Sequence, residues 1–358
     1  MIIDKIDLVN FKNYETLKLD FHSKINFIFG KNGVGKTNIL DAIHYLSFSK
    51  SYLKNLDKLN IKYGELFFSI KGTFNINNFN HNVFLGYDHN RGKVIKVDDQ
   101  ICDKFSDHIG KFPIVITSPY DSNLILNFSE TRRRFIDILI SQIDNIYLNN
   151  LIIYKKLLKQ RNSLLKNKII NKDYLSIYDE KLSKTSNYIF LKRKEVISIL
   201  NKKVSYYYSA ISNDNEELID IIYKSQLFDS DLISLLTKNF NKDQILNHTT
   251  SGIHRDDIEF NLKNKLFKRN ASQGQQKSLI LALKFSEFDI LNENLKLQPL
   301  ILIDDLFDKL DESRIKNILS LLHNNFNQII LTDTNDFRVN KLLNDLKINA
   351  NSIYIKKD

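Results

Sequence analysis

Apolar and polar residues alternate with a period of two along the first third of the chain. The alternation is clearest at Ile2 to Val9, Tyr14 to Phe21, Leu66 to Phe74 and Val94 to Val97, and turn residues separate these segments. A period of two places one face of a strand in the core and the other face in solvent. The pattern therefore predicts a strand-rich lobe in this part of the chain.

A second pattern lies inside that lobe. The short apolar run Ile25 to Phe29 meets a glycine-rich turn, and the segment KTNILDAIHYLS follows. Four apolar residues of this segment share one face of a helix, namely Ile39, Leu40, Ile43 and Leu46. The order of patterns predicts a strand, a loop and a helix.

The middle of the chain has a different character. From about Ser129 to Ser209 it contains neither Gly nor Pro, and charged residues are interleaved with Leu, Ile and Tyr, which predicts long helices. We expect a strand at Leu218 to Lys224 and a helix at Asp231 to Asn247. After Thr250 the strand–loop–helix order returns.

The predicted fold is therefore α/β, with one sheet-bearing lobe built from both ends of the chain and a helical lobe inserted between them. The predicted boundaries are 1–128 for the first part of the sheet-bearing lobe, 129–247 for the mostly helical arm and 248–358 for the second part. The heptad pattern in the arm is too brief for a long coiled coil.

Composition adds a weaker argument. The net charge of +10 favours an anionic partner such as nucleic acid. However, the sequence is rich in Lys, Asn and Ile and has no Trp, so a drift toward A/T-rich codons would also produce excess lysine. The only cysteine, Cys102, cannot form an internal disulfide. No run of 18 apolar residues occurs, so we expect no membrane span and a cytoplasmic location.

The glycine-rich turn has a recognisable form. Gly30 to Thr37 reads GKNGVGKT and matches G-x-x-x-x-G-K-[ST] between a predicted strand and a predicted helix. In such a loop, backbone N–H groups and the helix N-terminus bind phosphates, Lys36 reaches the β- and γ-phosphates, and the Thr37 hydroxyl holds Mg²⁺. The predicted ATP-binding residues here are Gly30, Lys31, Asn32, Gly33, Val34, Gly35, Lys36, Thr37 and Asn38. A glycine-rich turn without a ligand is the alternative.

A matching acidic strand occurs near the other end of the chain. Leu300 to Ile303 is fully apolar and is followed by Asp304 and Asp305. In a Walker B strand, Asp304 would complete the Mg²⁺ shell through water, and Asp305 would orient or deprotonate the attacking water. Either acid by itself is also compatible with a helix cap or a turn.

Between these motifs lies the segment Ala271-Ser-Gln-Gly-Gln-Gln276, followed by an apolar helix pattern. It resembles the signature loop S-x-G-Q of ABC-type ATPases. In that superfamily the serine, the glycine backbone and the helix N-terminus bind the γ-phosphate of a nucleotide held by a second subunit. The resemblance implies this role for Ser272, Gly274 and Gln275, and an ordinary helix N-cap is the alternative.

Two segments follow the acidic strand. Phe307 to Asp311 stands where the superfamily has its D-loop, and the alternative for Asp311 is a cap of the helix that begins near Glu312. The next predicted strand, Gln328 to Leu331, ends in Thr332-Asp333-Thr334, where transporter ATPases carry a switch histidine. The missing histidine makes slow hydrolysis the expectation.

The distance between Lys36 and Ser272 is too long for a transporter ATPase and far too short for a full SMC protein. Four further segments, LVNFKNY from Leu8, ETRRRF from Glu130, KQRN from Lys159 and HRDD from His254, complete a pattern that resembles the RecF family of SMC/ABC-type P-loop ATPases across nearly the whole chain. One departure is Gly252-Ile253, where the family usually has Gly-Pro.

The resemblance implies a P-loop ATPase lobe with an inserted helical arm. It also implies that Lys36, Ser272, Asp304 and Asp305 are the catalytic residues, that Asn13 joins the ATP site, and that Arg255 lies near the nucleotide interface. The implied cofactors are ATP and Mg²⁺. ATP would clamp two subunits into a homodimer, and slow, DNA-dependent hydrolysis would release it.

The implied partners are double-stranded and gapped DNA and mediator proteins of the RecO/RecR type, in DNA replication, recombinational repair and the SOS response. For DNA contact, the basic run Arg132, Arg133 and Arg134 is either a phosphate-binding site or a solvated helix face. The same hypothesis extends to seven basic residues further along the arm, namely Lys155, Lys156, Lys159, Arg161, Lys192, Arg193 and Lys194. Two other functions remain open: another compact SMC-like ATPase, such as a nuclease partner, and a non-enzymatic interaction protein with structural ATP.

Overall fold

The computed structural model describes residues 1–53, 56–167, 172–212, 218–305 and 310–356. In chain order the strands are β1 (Ile2–Phe11), β2 (Tyr14–Asp20), β3 (Ile25–Phe29), β4 (Phe67–Ile76), β5 (Phe79–Asp88), β6 (Gly92–Val97), β7 (Gln100–Ile101), β8 (Ile114–Thr117), β9 (Ile219–Lys224), β10 (Asp257–Leu262), β11 (Lys265–Leu266), β12 (Leu300–Ile303), β13 (Ile329–Asp333) and β14 (Ala350–Tyr354).

The α-helices are α1 (Lys36–Phe48), α2 (Asn123–Leu126), α3 (Ser129–Ile143), α4 (Asn145–Leu165), α5 (Lys172–Ser212), α6 (Leu232–Lys238), α7 (Phe240–Leu246), α8 (Phe267–Asn270), α9 (Gln273–Leu295), α10 (Glu312–Asn325) and α11 (Asp336–Asp345). Short 3-10 helices occupy Asp57–Asn60, Phe105–His108, Pro119–Ser122, Gln226–Phe228 and Ile253–Arg255. No described helix combines the length and apolar character needed to span a bilayer.

The described chain divides into two compact units. The sheet unit comprises Met1–Asp121, the end of α5 from Tyr207, and the chain from Gln273 onward. The helical unit comprises Ser122–Tyr206 and the later segment that ends at Ser272.

A five-stranded parallel sheet, in the order β14-β3-β13-β12-β8, forms the centre of the sheet unit. Every residue of β3 and β12 is buried, as expected for parallel strands covered on both faces. Because the strands run in the same direction, the segments that follow β3, β12 and β13 meet at one edge of the sheet. β13 lies between β3 and β12 in this order, so its carboxyl end separates the other two.

An antiparallel sheet of six strands, in the order β2-β1-β4-β5-β6-β7, forms a second layer of the sheet unit. In β1 the alternate residues Ile6 and Leu8 are almost fully buried, as a period of two predicts, and a register shift between Ile3 and Lys5 accounts for the three-residue step from the buried Ile3 to Ile6. The apolar face of α1 packs into the same core through the four residues named for it, Ile39, Leu40, Ile43 and Leu46. The strand, loop and helix predicted around the glycine-rich turn are confirmed.

The helical unit contains α3, α4 and most of α5, together with a three-stranded sheet in the order β11-β10-β9. It extends further along the chain than the sequence pattern indicated, since residues 248–272 belong to it. The physical reason is that β10 pairs antiparallel with β9 along its whole length and also contacts α3. The predicted helix at Asp231 to Asn247 is two helices, α6 and α7, with Asn239 between them.

Candidate nucleotide-binding site

The glycine-rich loop connects the end of β3 to the start of α1. Two of its glycines have backbone angles that favour glycine, with φ of 81° at Gly33 and 109° at Gly35. A Cβ atom on Gly35 would lie 2.6 Å from Asn13 Nδ2 and 2.6 Å from the Tyr14 hydroxyl oxygen. Both backbone conformation and lack of space therefore require glycine at position 35.

The turn between β1 and β2 supports this loop. Asn13 Nδ2 donates to the Val34 carbonyl over 3.0 Å, and the Tyr14 hydroxyl donates to the same oxygen over 3.3 Å. Asn38 Nδ2 donates to Asn13 Oδ1 over 2.7 Å. Asn13, expected at the site from the family resemblance, thus lies directly against the loop, and its side chain holds the loop rather than extending away from it.

The Lys36 side chain is buried within the loop. Its Nζ donates to the carbonyls of Gly30 and Lys31 over 2.8 and 3.1 Å. Burial lowers the pKa of Lys36, and the nearby carboxylates of Asp304, Asp305 and Asp333 oppose that shift. A lysine cation here is positioned to attract the phosphates of a nucleotide.

Asp304, directly after β12, is buried and is held from two sides by threonine hydroxyls. Thr37 Oγ1 donates to Asp304 Oδ2 over 2.8 Å, and Thr332 Oγ1 donates to Asp304 Oδ1 over 2.6 Å. The Asp304 amide also donates to the carbonyl of Thr117 at the end of β8. The two residues predicted to hold a metal, Thr37 and Asp304, are therefore in direct contact.

A hydroxyl and a carboxylate are the hard oxygen ligands that Mg²⁺ prefers, and Mg²⁺ commonly takes only one or two protein ligands in addition to phosphates and water. The contact between Thr37 and Asp304 therefore fits the cation that the P-loop pattern implies.

Asp305 follows with a left-handed backbone, φ 53°. Its amide donates to Thr332 Oγ1 over 3.1 Å, and its carbonyl accepts from Lys277 Nζ over 3.0 Å. Sequence reasoning did not foresee the contacts of Thr332 and Lys277. The only available signal was a polar residue at the end of a buried strand and a lysine next to the signature segment.

The D-loop prediction falls mostly on Phe307, Asp308 and Lys309, which lie outside the described residues. At its end, Asp311 Oδ1 accepts from the Arg314 amide over 2.9 Å. This is the contact of a helix N-cap, so the capping alternative for Asp311 is confirmed.

The signature segment lies at the start of α9. Ser272 directly precedes the helix, and both Ser272 and Gln273 are exposed. Gly274 and Gln275 lie in the first turn, where the Ser278 hydroxyl donates to the Gly274 carbonyl over 2.9 Å. An exposed serine before a helix N-terminus has the arrangement that an anion-binding loop requires.

The three arginines proposed for DNA contact have different environments. Arg132 is buried, and its Nε and Nη2 donate to the two carboxylate oxygens of Asp257 over 2.8 and 3.0 Å. Arg133 donates to Ser129 Oγ and to the carbonyl of Asp256, while burial and the nearby Arg193 lower its pKa. Only Arg134 is exposed. The expectation of a basic surface is thus corrected at Arg132 and Arg133, whose side chains fasten α3 to Asp257 of β10 and to Asp256 directly before it.

The HRDD segment belongs to the same buried network of the helical unit. His254 Nδ1 and the Tyr154 hydroxyl are 2.8 Å apart, and burial lowers the pKa of His254 to about 4. Asp256 Oδ2 accepts from Arg193 Nη1 over 2.9 Å and from the Tyr223 hydroxyl over 2.6 Å. Arg255 is exposed and donates to the Thr249 carbonyl. Three of the four residues therefore stabilise the helical unit through buried or partly buried side chains.

The family model described as the RecF/RecN/SMC N-terminal domain matches residues 2–66. A protein of Flavobacterium johnsoniae, DNA replication and repair protein RecF, is 42% identical over 348 residues, which cover 96% of this chain and 97% of that protein. This chain belongs to the RecF family. A RecF of Bacteroides fragilis is 38% identical over 346 residues, covering 96% of the chain and 93% of that protein.

Solved structures agree with this assignment. One, described as the recombination mediator protein RecF-ATPrS in the RecFOR pathway, has a TM-score of 0.88 and 30% identity, and covers 99% of this RecF-family chain and 96% of its own. An SMC head bound to the C-terminal winged-helix domain of ScpA has a TM-score of 0.54 and 16% identity over 93% of the chain and 90% of its own, which shows the fold alone. The predicted α/β P-loop ATPase fold of SMC/ABC type is confirmed.

Proposed function

We propose that this RecF-family chain is an ATP-dependent DNA clamp of recombinational repair. The observation that carries the proposal is the convergence of Lys36, Thr37 and Asp304 at one edge of the parallel sheet, with Thr37 and Asp304 hydrogen-bonded over 2.8 Å. In P-loop ATPases, the P-loop and the Walker B residues meet in this way at the site that binds a nucleoside triphosphate. Here they come from opposite ends of the chain. RecF relatives described with ATP and with ATPrS add support for ATP as the ligand.

In the proposed site, the amides of the Gly30–Thr37 loop and the Lys36 ammonium bind the phosphates. Thr37 and Asp304 would hold Mg²⁺, which neutralises phosphate charge when bound. The Asp305 carboxylate orients water for attack on the γ-phosphorus and accepts its proton, while the bond from the γ-phosphorus to the bridging oxygen breaks and ADP leaves. Without a switch histidine after β13, hydrolysis is slow, and ATP binding rather than turnover sets the state of the protein.

Two subunits bind head to tail in this proposal, and each contributes a signature loop to the nucleotide of the other. The exposed position of Ser272 before the α9 N-terminus supports this, because a second molecule has access to it. The serine hydroxyl and the helix N-terminus both favour binding of a γ-phosphate. ATP therefore acts as the link between the subunits.

A basic groove between α4 and α5 is the best candidate in the helical unit for contact with double-stranded DNA. It has a volume of about 390 Å³ and is lined by Lys156, Lys181, Lys184, Gln160, Thr185, Ile153 and Leu157. Among the residues that the structure describes, the lining includes three lysines and no acidic side chain. Contacts of this kind bind phosphates without regard to sequence and weaken as salt rises. Together with the exposed Arg134, the groove replaces Arg132 and Arg133 as the proposed DNA-facing surface.

Gapped DNA and mediators of the RecO/RecR type complete the proposed role, in which the clamp marks the edge of a gap and assists recombinase loading. Support comes from the RecF relatives, whose names include replication and repair and whose solved structures are placed in the RecFOR pathway.

The test is the mass of the protein in solution with ATP and duplex DNA, for the wild type and for Lys36→Met and Ser272→Arg. We expect the wild type to double its mass only with ATP. Lys36→Met should fail to bind ATP, whereas Ser272→Arg should bind ATP and stay monomeric. Tight ATP binding by the wild type with no change in mass would reject the clamp and favour ATP as a structural ligand.

A further inference from the structure

The Asp305 main chain is held by side chains from two different elements of the sheet unit. Lys277 Nζ, from α9, donates to the Asp305 carbonyl over 3.0 Å, and Thr332 Oγ1, from the end of β13, accepts from the Asp305 amide over 3.1 Å. We infer that Lys277 is a positioning residue that links the signature helix to the proposed water-orienting carboxylate of Asp305. This inference rests on the proposed function.

The backbone of Asp305 needs such support. Its φ of 53° lies in the left-handed region, which is unfavourable for a residue other than glycine. Hydrogen bonds to both its amide and its carbonyl fix the peptide planes on either side of Cα. Because those planes fix the direction of the Cα–Cβ bond, they limit the positions that the carboxylate can reach to those given by its side-chain rotamers.

Thr332 and Lys277 have different roles in this arrangement. Thr332 also donates to Asp304 Oδ1 over 2.6 Å, so it ties Asp305 to its neighbour in the same sheet. Lys277 instead lies on α9, whose first turn contains Gly274 and Gln275 of the signature segment. A helix is stiff over one turn, so a shift of the signature segment moves Lys277 with it.

The consequence is communication within each subunit, from the signature segment at the start of α9 to the main chain of Asp305. When the signature segment engages the nucleotide of a second subunit, Lys277 transmits its position to the Asp305 main chain. Hydrolysis at the subunit's own P-loop then depends on whether its signature helix is engaged. ATP binding does not depend on this contact, because the phosphate-binding groups belong to the loop at Gly30–Thr37.

Three variants separate positioning from a merely structural role. Lys277→Met keeps the length of the side chain and removes the donor, Lys277→Arg keeps a donor, and Lys71→Met removes an exposed lysine of β4 as the matched control. We measure affinity for a fluorescent ATP analogue, ATP-dependent mass, single-turnover ATP cleavage, and amide hydrogen exchange in peptides that contain Asp305.

We expect Lys277→Met to lower the cleavage rate about tenfold, as loss of a catalytic orientation does, while ATP affinity stays within about twofold of the wild type and the ATP-dependent doubling of mass is retained. Exchange at Asp305 should rise several-fold, and Lys277→Arg should restore both readouts. Thr332→Val should lower cleavage too. The variant that combines Lys277→Met with Thr332→Val should cleave ATP only slightly more slowly than the slower of the two single variants. Both changes act on the position of Asp305, so their effects should not add.

The inference would be overturned if Lys277→Met cleaved ATP at the wild-type rate and its Asp305 amide exchanged at the wild-type rate. Loss of ATP affinity and thermal stability in parallel with the cleavage rate would also overturn it, because that outcome indicates a structural role. If the wild type itself cleaves no ATP, the hydrolysis step of the proposed function fails, and the exchange of the Asp305 amide alone decides whether Lys277 positions it.

Discussion

At the scale of single residues, the candidate site depends on positions that admit only one kind of side chain. Gly35 combines a φ of 109° with close approach by Asn13 and Tyr14. Gly92 has a comparable φ of 79°, but no atom lies within 4 Å of where its Cβ would be. An alanine at Gly92 would meet only the backbone cost of a left-handed residue, whereas an alanine at Gly35 would also collide with neighbouring side chains. Comparing the two glycines therefore separates the two effects.

Gly35→Ala should lower ATP affinity at least about tenfold, because the new methyl group displaces the Asn13 and Tyr14 side chains that hold the Val34 carbonyl. Gly92→Ala should cost about 1 kcal/mol of stability, from backbone strain alone, and leave affinity unchanged. Titration with a fluorescent ATP analogue and thermal unfolding of both variants provide the comparison. Equal ATP affinities in the two variants would contradict the argument.

His254 makes the helical unit sensitive to acid. Burial lowers its pKa from 6.5 to about 4, and the hydrogen bond to the Thr249 carbonyl opposes that shift. The unfolded chain therefore takes up a proton at higher pH than the folded protein does. The stability associated with neutral His254 is complete above pH 6.5 and is lost as the pH falls from 6.5 toward 4.

Between about pH 7 and pH 5, the wild type should lose about 2 kcal/mol of unfolding free energy relative to His254→Gln, because the glutamine at position 254 does not titrate. Urea unfolding at several pH values, with the variant as reference, removes the contributions of the carboxylates and the other histidines that the two proteins share. Parallel pH profiles for the two proteins would show that the buried histidine is not the sensitive group.

At the scale of elements, buried charge joins the helices of the helical unit to its small sheet. Arg193 of α5 is almost fully buried, and it donates to Asp137 of α3, to Asp256 before β10 and to the Ile253 carbonyl. Its network fixes α3, α5 and the HRDD segment together. Removing one partner of such a network leaves buried charges without compensation.

Arg193→Met should therefore destabilise the helical unit by about 3–5 kcal/mol. Lys202→Met, an exposed lysine of the same helix, should change stability by no more than about 0.5 kcal/mol. Circular dichroism during urea unfolding measures both variants. A decrease of less than about 1 kcal/mol in Arg193→Met would mean that the network contributes little to stability.

At the scale of the whole molecule, the net charge of +10 does not identify a DNA surface by itself, because several basic side chains are buried. Arg132, Arg161 and Arg193 are buried and paired with carboxylates. The groove lysines of α4 and α5 differ because they are exposed and line a concave surface.

Changing Lys156, Lys181 and Lys184 together to Gln should weaken duplex binding. The slope of log K against log salt should fall by about 0.9 for each DNA phosphate that the variant no longer neutralises. A control variant with Lys238, Lys242 and Lys263 changed to Gln has the same net charge, and all three lysines are exposed in the helical unit. DNA titrations at several salt concentrations compare the two. The same slope in both variants would show that general charge, not the groove, binds DNA.

The sequence by itself determined the features whose cause is local. A period of two or of 3.6 residues depends only on the geometry of a strand or a helix, so β1, α1 and the long helices of the arm were predictable from their spacing. The P-loop was equally predictable, because its glycines and Lys36 all lie within one short, contiguous segment. Asp304 was predictable from its place at the end of an apolar strand, and the family followed from motifs spread along the chain.

Only the tertiary structure decided which polar residues meet. Thr332 touches Asp304 because β13 lies next to β12 in the sheet, an order that no local pattern contains. Lys277 reaches Asp305 for the same kind of reason, across 28 positions of sequence. Arg132 and Arg134 look alike in sequence, yet one is buried against Asp257 and the other is exposed. Whether a charged side chain faces solvent or a partner depends on residues distant in the chain, and so it is fixed only when the whole chain folds.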